Sequence, residues 1–189
     1  MADIITPNQF ELEHLVGRAP ATVEGIVAAA RRLGPSTVAV TGVQLKDASS
    51  GIVQSLAIEP RAAWMVLTPR RSCRPSGTGD LFTALFAAAL VQGLTTGAAL
   101  GRAVSGVYGV LEETERRQFY EMALIASAER MLRPHPLFVP SGIPARAGGD
   151  TSPIVPALRP RDDHAREPPI PHRVQPFFVN NRRRGFRIR

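Results

Sequence analysis

The sequence has little that would support a secreted, membrane-spanning or zinc-binding protein. Its 189 residues include a single cysteine, Cys73, so an intrachain disulfide is excluded. The longest apolar run, residues 81–93, is too short to cross a bilayer, and the chain does not open on a signal peptide. Its four histidines lack the spacing of metal ligands. These absences predict a protein of the reducing cytoplasm with no membrane partner.

The formal net charge of +7 comes from one end of the chain. Residues 1–140 hold 13 Lys and Arg against 12 Asp and Glu, whereas residues 141–189 hold 10 Arg against 4 acids. Nine of the 17 prolines lie between Pro140 and Pro176. We therefore predict a folded domain over residues 1–138 and a Pro/Arg-rich, disordered tail over residues 139–189.

The end of this tail has two interpretations. The arginines of residues 182–189, with Phe177, Phe178 and Phe186 as stacking groups, could bind RNA. The alternative is an appendage without a partner, because Arg outnumbers Lys 22 to 1, as a GC-rich coding sequence tends to give. We favour the second interpretation and do not expect a nucleic-acid partner.

Segments with strand-like and helix-like periodicity alternate along the body of the chain and predict an α/β layer architecture. The expected strands are one at 3–6, a buried one of the parallel-sheet kind at 37–41, and two at 52–58 and 63–67 that form a hairpin or an antiparallel edge. The expected helices are at 8–15, 20–33, 81–92, 95–113 and 115–132. In the first helix, Phe10 and Leu15 are expected to contribute to the core.

The most informative motif is Gly77-Thr78-Gly79-Asp80, directly before an apolar helix. Glycines let the backbone bring its N–H groups close to an anion, and a helix directs its positive end to the same point. Asp80 could accept a proton from a hydroxyl during phosphoryl transfer. Because G-x-G-D arises by chance in about 4% of chains of this composition, an ordinary glycine loop with a helix-start aspartate is an open alternative.

A second motif, Thr6-Pro7-Asn8-Gln9-Phe10-Glu11, places an amide and a carboxylate three residues apart after a strand. On a helix this spacing puts both groups on one face, where their oxygens would suit Mg²⁺ or its bound waters. The same residues also fit a capping box, with Asn8 as the N-cap and Glu11 as its partner. Both roles can hold together.

Five segments together resemble the C-terminal half of pyridoxal kinases, within the ribokinase-like superfamily. These segments are residues 2–11, 38–41, 64–69, 77–82 and 104–108, and the resemblance extends over about residues 2–138. It implies the C-terminal part of a three-layer α/β/α fold. The G-x-G-D motif is common to the superfamily, whereas the TPNQFE segment is typical of the pyridoxal kinase branch.

The resemblance implies ATP-dependent phosphorylation of the 5′-hydroxymethyl group of pyridoxal. Asp80 matches the general base, and the backbone of Gly77, Thr78 and Gly79 matches the anion hole. Asn8 and Glu11 match positions that hold Mg²⁺ through water. The implied nucleotide-binding residues are Glu11, Thr41, Thr68, Pro69, Val104 and Val107. For Thr41 and Thr68, an ordinary β-branched strand end is the alternative.

The chain also departs from the family pattern. In pyridoxal kinases about half of the domain precedes the strand at Asp3, and that half holds the pyridoxal ring. We therefore expect impaired activity from residues 1–189 alone. A different small-molecule kinase, such as a hydroxymethylpyrimidine kinase, and a non-catalytic nucleotide-binding remnant are the alternatives, and a homodimer is left open.

Overall fold

A computed structural model of the protein describes residues 2–18, 20–45, 51–135 and 137–144. They form a five-stranded sheet with helices on both faces. The elements are β1 (Ile4–Ile5), α1 (Gln9–Val16), α2 (Val23–Arg32), β2 (Thr37–Val43), β3 (Ile52–Ile58), β4 (Ala63–Pro69), α3 (Thr78–Val91), α4 (Thr96–Arg116), α5 (Ala128–Leu132) and β5 (Ser141–Gly142). Within the described residues, no helix combines the length and hydropathy that crossing a membrane requires.

The strands follow one another across the sheet in chain order. β1 and β2 are parallel, joined by a crossover through α1 and α2, whereas β2, β3, β4 and β5 form successive antiparallel pairs. The predicted hairpin is confirmed, with Ile58 opposite Ala63 beside the turn. Since β4 is antiparallel to β3, it runs in the same direction as β2, and both strands end at the same edge of the sheet.

Successive side chains of the strands pack into two separate cores, one on each face of the sheet. The molecule therefore has three layers, with helices above and below the sheet. Val38 and Val40 of β2 pack with Leu12 of α1 and Ile26 of α2 on one face. On the other face, Ala39 packs with side chains of α3 and α4, among them Phe82, Phe86 and Leu100. The expected α/β/α architecture is therefore confirmed.

The predicted core residues of the first helix are wrong. Phe10 is 76% exposed and Leu15 is 56% exposed, whereas Leu12 is fully buried. Leu12 and Val16 lie four residues apart and so occupy the same face of α1, which packs against the sheet. Phe10 and Leu15 lie off this face and point towards solvent.

The predicted helix at 115–132 is also wrong over most of its length. α4 continues to Arg116, and Gln118 then adopts a left-handed conformation with φ 54°. The hydroxyl of Thr114 accepts a hydrogen bond from the N–H of Ala123 at 3.0 Å, which folds the chain back against α4. Helix returns only in α5, because this hydrogen bond turns the chain away from the axis of α4.

The C-terminal part of the described chain docks on α4 through small residues. Ser105 Oγ accepts a hydrogen bond from the N–H of Phe138 at 2.8 Å. A Cβ atom on Gly101 would lie 2.8 Å from the carbonyl oxygen of Phe138. This close approach leads the chain into β5, which pairs with β4, so the sheet extends past Phe138 to Gly142. Residues 145–189, and the RNA-binding hypothesis with them, lie outside the described residues.

Replacing Gly101 with alanine should destabilise the protein, although alanine is the better helix former by about 1 kcal/mol. The new methyl group would collide with backbone at Phe138 and with Pro140, and such overpacking costs about 1–3 kcal/mol. Gly25→Ala in α2 is the matched control, since its Cβ would meet atoms at ordinary distances of 3.4 Å and more. Denaturant unfolding should show opposite shifts for the two variants. Equal midpoints would contradict the close approach at Gly101.

Glu113 should make stability depend on acidic pH. Hydrogen bonds from Arg116 and Arg117 lower the pKa of its carboxyl from 4.5 to about 2. The unfolded chain therefore takes up the proton more readily, and the stabilisation present above about pH 4.5 is lost as the pH falls towards 2. Glu113→Gln should flatten this decline in unfolding measurements across that range, and Arg117→Met should weaken it. An unchanged slope in both variants would contradict the assignment.

Candidate active site

The N-terminus of α3 lacks the side-chain cap that most helices have. Its N-cap residue, Gly77, is in the left-handed region with φ 86°, and no side chain accepts a hydrogen bond there. The helix begins at Thr78, three residues before the predicted start at Leu81. Thr78, Gly79 and Asp80 therefore belong to its first turn, where backbone N–H groups lack intrahelical partners and the helix dipole is positive.

The two glycines of the motif have different surroundings. A Cβ atom on Gly77 would lie 3.0 Å from the terminal carbon of Met122, in addition to the strain of its positive φ. A Cβ atom on Gly79 would meet nothing within 4 Å. Gly77 is thus required by the backbone, whereas Gly79 borders open space in which a ligand could approach the helix.

Asp80 is exposed in this first turn. Within the described residues, no hydrogen bond or ion pair engages its carboxylate. The group is therefore available to a ligand at the start of α3, as a general base must be.

Asn8 and Glu11 form the predicted capping box. Asn8 Oδ1 accepts from the N–H of Glu11 at 2.9 Å, and Glu11 Oε2 accepts from the N–H of Asn8 at 2.8 Å. Both side chains are exposed. The structural interpretation of this motif is confirmed, and it leaves Glu11 Oε1 without a hydrogen bond in the described part of the chain.

Two contacts bring the separate motifs to one edge of the sheet. Thr41 donates its N–H to the carbonyl oxygen of Pro7 at 3.0 Å, which places the end of β2 beside Asn8. Thr6 Oγ1 lies 2.7 Å from Thr83 Oγ1, in the second turn of α3. The carboxyl ends of β1 and β2 therefore meet the N-termini of α1 and α3, which is where open α/β sheets bind ligands.

The other predicted nucleotide residues have mixed positions. Thr68 and Pro69 end β4 at the same edge as Thr41, with Thr68 buried and Pro69 exposed. Val104 is 7% exposed and belongs to the core beneath α4, and Val107 packs against that core. Both valines thus face the core that α4 covers, and their role at a nucleotide stays a prediction.

Contacts that the sequence analysis did not predict hold the basic loop after β4. Arg71 bridges Glu112 at 2.5 Å and Glu115 at 3.2 Å, and its guanidinium lies 4.8 Å from the centre of the Tyr108 ring. Hydrogen bonds from Ser72 lower the pKa of Glu115. These contacts tie the loop to α4. The signal in the sequence is the pair of glutamates three residues apart at the end of a helix.

Gln9 and Gln44 are further residues that sequence reasoning missed. Gln9 Oε1 accepts from the N–H of Gln44 at 2.8 Å, and Arg70 donates to Gln44 Oε1 at 3.1 Å. Arg70 therefore lies at the site edge with a neutral partner, whereas Arg71 is balanced by carboxylates. Amide side chains carry no charge pattern, so the sequence offered no sign of this chain of contacts.

The chain is similar to known kinases. A family model described as phosphomethylpyrimidine kinase matches residues 1–121. Pyridoxal kinase PdxY from Leifsonia xyli is 41% identical over 146 residues, which cover 76% of this chain and 52% of the relative. The chain thus spans about half the length of the curated relative.

Solved structures show the same fold. The crystal structure of a putative phosphomethylpyrimidine kinase from Bacteroides thetaiotaomicron has a TM-score of 0.67 and 26% identity, with coverage of 75% of this chain and 52% of that one. Pyridoxal kinase from Leishmania donovani, in complex with ADP and pyridoxamine, has a TM-score of 0.68 and 20% identity, with coverage of 76% and 52%. The family match extends over more than half of the chain. The chain therefore belongs to the phosphomethylpyrimidine kinase family, with a ribokinase-like fold and curated relatives that are pyridoxal kinases.

Proposed function

We propose that the protein takes part in transferring the γ-phosphoryl group of ATP to the 5′-hydroxymethyl group of pyridoxal, in salvage of vitamin B6. The observation that carries this proposal is the uncapped N-terminus of α3, with Asp80 exposed in its first turn at the edge where β1 and β2 end. The name of the Leifsonia relative supports pyridoxal as the substrate, and the Leishmania complex with ADP supports a nucleotide.

Each part of this helix start has a role in the transfer. The backbone N–H groups of the Gly77, Thr78 and Gly79 segment would stabilise the negative charge of the phosphoryl group in flight. Asp80 would accept the proton of the hydroxymethyl group as its oxygen bonds to phosphorus. The bond from phosphorus to the bridging oxygen then breaks, and ADP leaves. Without a side-chain cap, the N–H groups are free for this purpose.

Asn8 and Glu11 would hold Mg²⁺ through water. The described residues contain no cluster of three His, Cys, Asp or Glu side chains that could cage a metal alone. Mg²⁺ is commonly bound by one or two carboxylates together with substrate phosphates, and it keeps several waters. Glu11 Oε1 is compatible with that mode, because the capping box occupies the other oxygen. When bound, Mg²⁺ would neutralise charge on the phosphates.

The remaining residues would form the nucleotide side of the site. Thr41 lies near the end of β2, and Thr68 and Pro69 end β4, at the same edge of the sheet. Because Val104 is buried, we assign it to supporting the wall of the site, with Val107 nearer the surface. A homodimer and a cytoplasmic location are further proposals that accompany the kinase assignment.

A hydroxymethylpyrimidine kinase is the second candidate. The matching family model and the Bacteroides structure both carry the phosphomethylpyrimidine kinase description. The chemistry at Asp80 would be the same, since both substrates present a hydroxymethyl group on a heteroaromatic ring. Rates with the two substrates in one assay would decide between the candidates.

Asp80→Asn should abolish turnover while nucleotide binding persists. The amide keeps the shape of the carboxylate but cannot accept the hydroxyl proton. We would measure pyridoxal phosphate formation in a chimera in which the N-terminal half of a full-length relative precedes this chain. Glu24→Gln, a first-turn carboxylate of α2, is the matched control and should remain active. Retention of more than about a tenth of the turnover, ~1.4 kcal/mol of barrier, would contradict the role of Asp80.

Gly77→Ala should weaken ADP binding by at least about tenfold, or ~1.4 kcal/mol, because it distorts the start of α3. Gly93→Ala is the control, since Gly93 follows the other end of α3 with a nearly identical φ of 87°, against 86° for Gly77. In each variant the left-handed alanine itself should cost about 1–2 kcal/mol of stability. Calorimetric titration with ADP should separate them, and equal affinities would argue against an anion site at Gly77.

A further inference from the structure

Two threonine hydroxyls join the turn after β1 to the start of α3. Thr6 Oγ1 lies 2.7 Å from Thr83 Oγ1, which in turn lies 2.9 Å from the carbonyl oxygen of Gly79. A threonine hydroxyl has one hydrogen to donate, and a carbonyl oxygen can only accept. Thr83 therefore donates to Gly79, and Thr6 donates to Thr83.

The two ends of this relay belong to different motifs. At one end, Gly79 is part of the first turn of α3, and Asp80 lies three residues before Thr83 on the same side of the helix. At the other end, Thr6 precedes Asn8 by two residues. The turn from Thr6 to Asn8 is already held to β2, because the N–H of Thr41 donates to the carbonyl oxygen of Pro7. The relay thus adds a link between that turn and α3.

The value of such a link lies in geometry. An exposed hydrogen bond between hydroxyls contributes little to folding, since water competes for both groups. Misplacing reacting groups by about 1 Å, in contrast, can cost about a hundredfold in rate. A hydroxyl pair that joins two binding elements can therefore matter more for ligand register than for stability.

We propose that Thr6 and Thr83 are positioning residues, which hold the turn bearing Asn8 and the helix start bearing Gly79 and Asp80 in one register. A cation at the turn and phosphates at the helix would then favour each other's binding. This inference rests on the proposed function, and it assigns to the first residue of the TPNQFE segment a task separate from the capping box.

The test uses the full chain of residues 1–189 with ADP, in the presence and absence of Mg²⁺. Thr6→Val and Thr83→Val remove the relay, whereas Thr6→Ser retains the donor. Ser36→Ala is the matched control, because Ser36 donates to the carbonyl oxygen of Asp3 at 2.7 Å, at the other end of β1. Calorimetry would give the factor by which Mg²⁺ increases the affinity for ADP.

Thr6→Val and Thr83→Val should each reduce that factor by about tenfold, a typical coupling between two sites. The double variant should lose no more than either single variant, since both remove the same relay. Thr6→Ser should restore the factor, and Ser36→Ala should leave it unchanged. An unchanged factor in the valine variants, or losses that add in the double variant, would overturn the inference.

A second measurement needs no ligand and so separates this inference from the proposed function. Amide NMR of the nucleotide-free chain should show the resonances of Gly79 and Asp80 moving in Thr6→Val, as in Thr83→Val, but not in Ser36→Ala. Unmoved resonances in Thr6→Val would overturn the positioning role. If they move while the wild-type chain binds no ADP, the relay stands and the assignment of nucleotide binding to this chain alone fails.

Discussion

Val38, Ala39 and Val40 of β2 are each no more than 1% exposed, because successive side chains pack beneath helices on opposite faces of the sheet. This double burial is possible only where strands flank β2 on both sides and helices cover both faces. β1 and β3 flank β2 in the sheet. Helices α1 and α2 cover one face, and α3 and α4 cover the other. The end of β2 then lies beside the turn at Pro7 and Asn8, so the candidate site depends on the packing of this strand.

The two helices that start at this edge of the sheet differ in how their N-termini are capped. In α1 the side chains of Asn8 and Glu11 satisfy backbone N–H groups of the first turn and of the cap. In α3 a glycine occupies the N-cap position and supplies no side chain. Free N–H groups at a helix start favour an anion. The contrast supports the proposal that α3, rather than α1, receives the anion.

Charges on α4 organise the loop that borders the site. Glu112 and Glu115 balance Arg71, whose guanidinium also lies over the ring of Tyr108. Glu113, on another side of the helix, is buried and pairs with the exposed Arg116 and Arg117 instead. The loop is therefore held by α4, which follows it in the chain, and the charge of Arg71 is neutralised by the two glutamates. Arg70, bonded to the neutral Gln44, keeps its charge at the edge.

The sequence by itself determined the alternating layers, the β3–β4 hairpin, the capping box and the motif at Gly77 to Asp80. Each of these depends on residues close in the chain, such as periodic apolar side chains or a cap and its partner three residues on. Tertiary structure alone decided that Leu12 rather than Phe10 is buried, since the sheet selects which face of α1 it covers. It also ended α4 at Arg116, because Thr114 holds Ala123 at the expense of further helix. Tertiary structure also decided the contact between Thr6 and Thr83. These two exposed hydroxyls are 77 positions apart and carry no local pattern, so only the packing of α3 beside β1 brings them together.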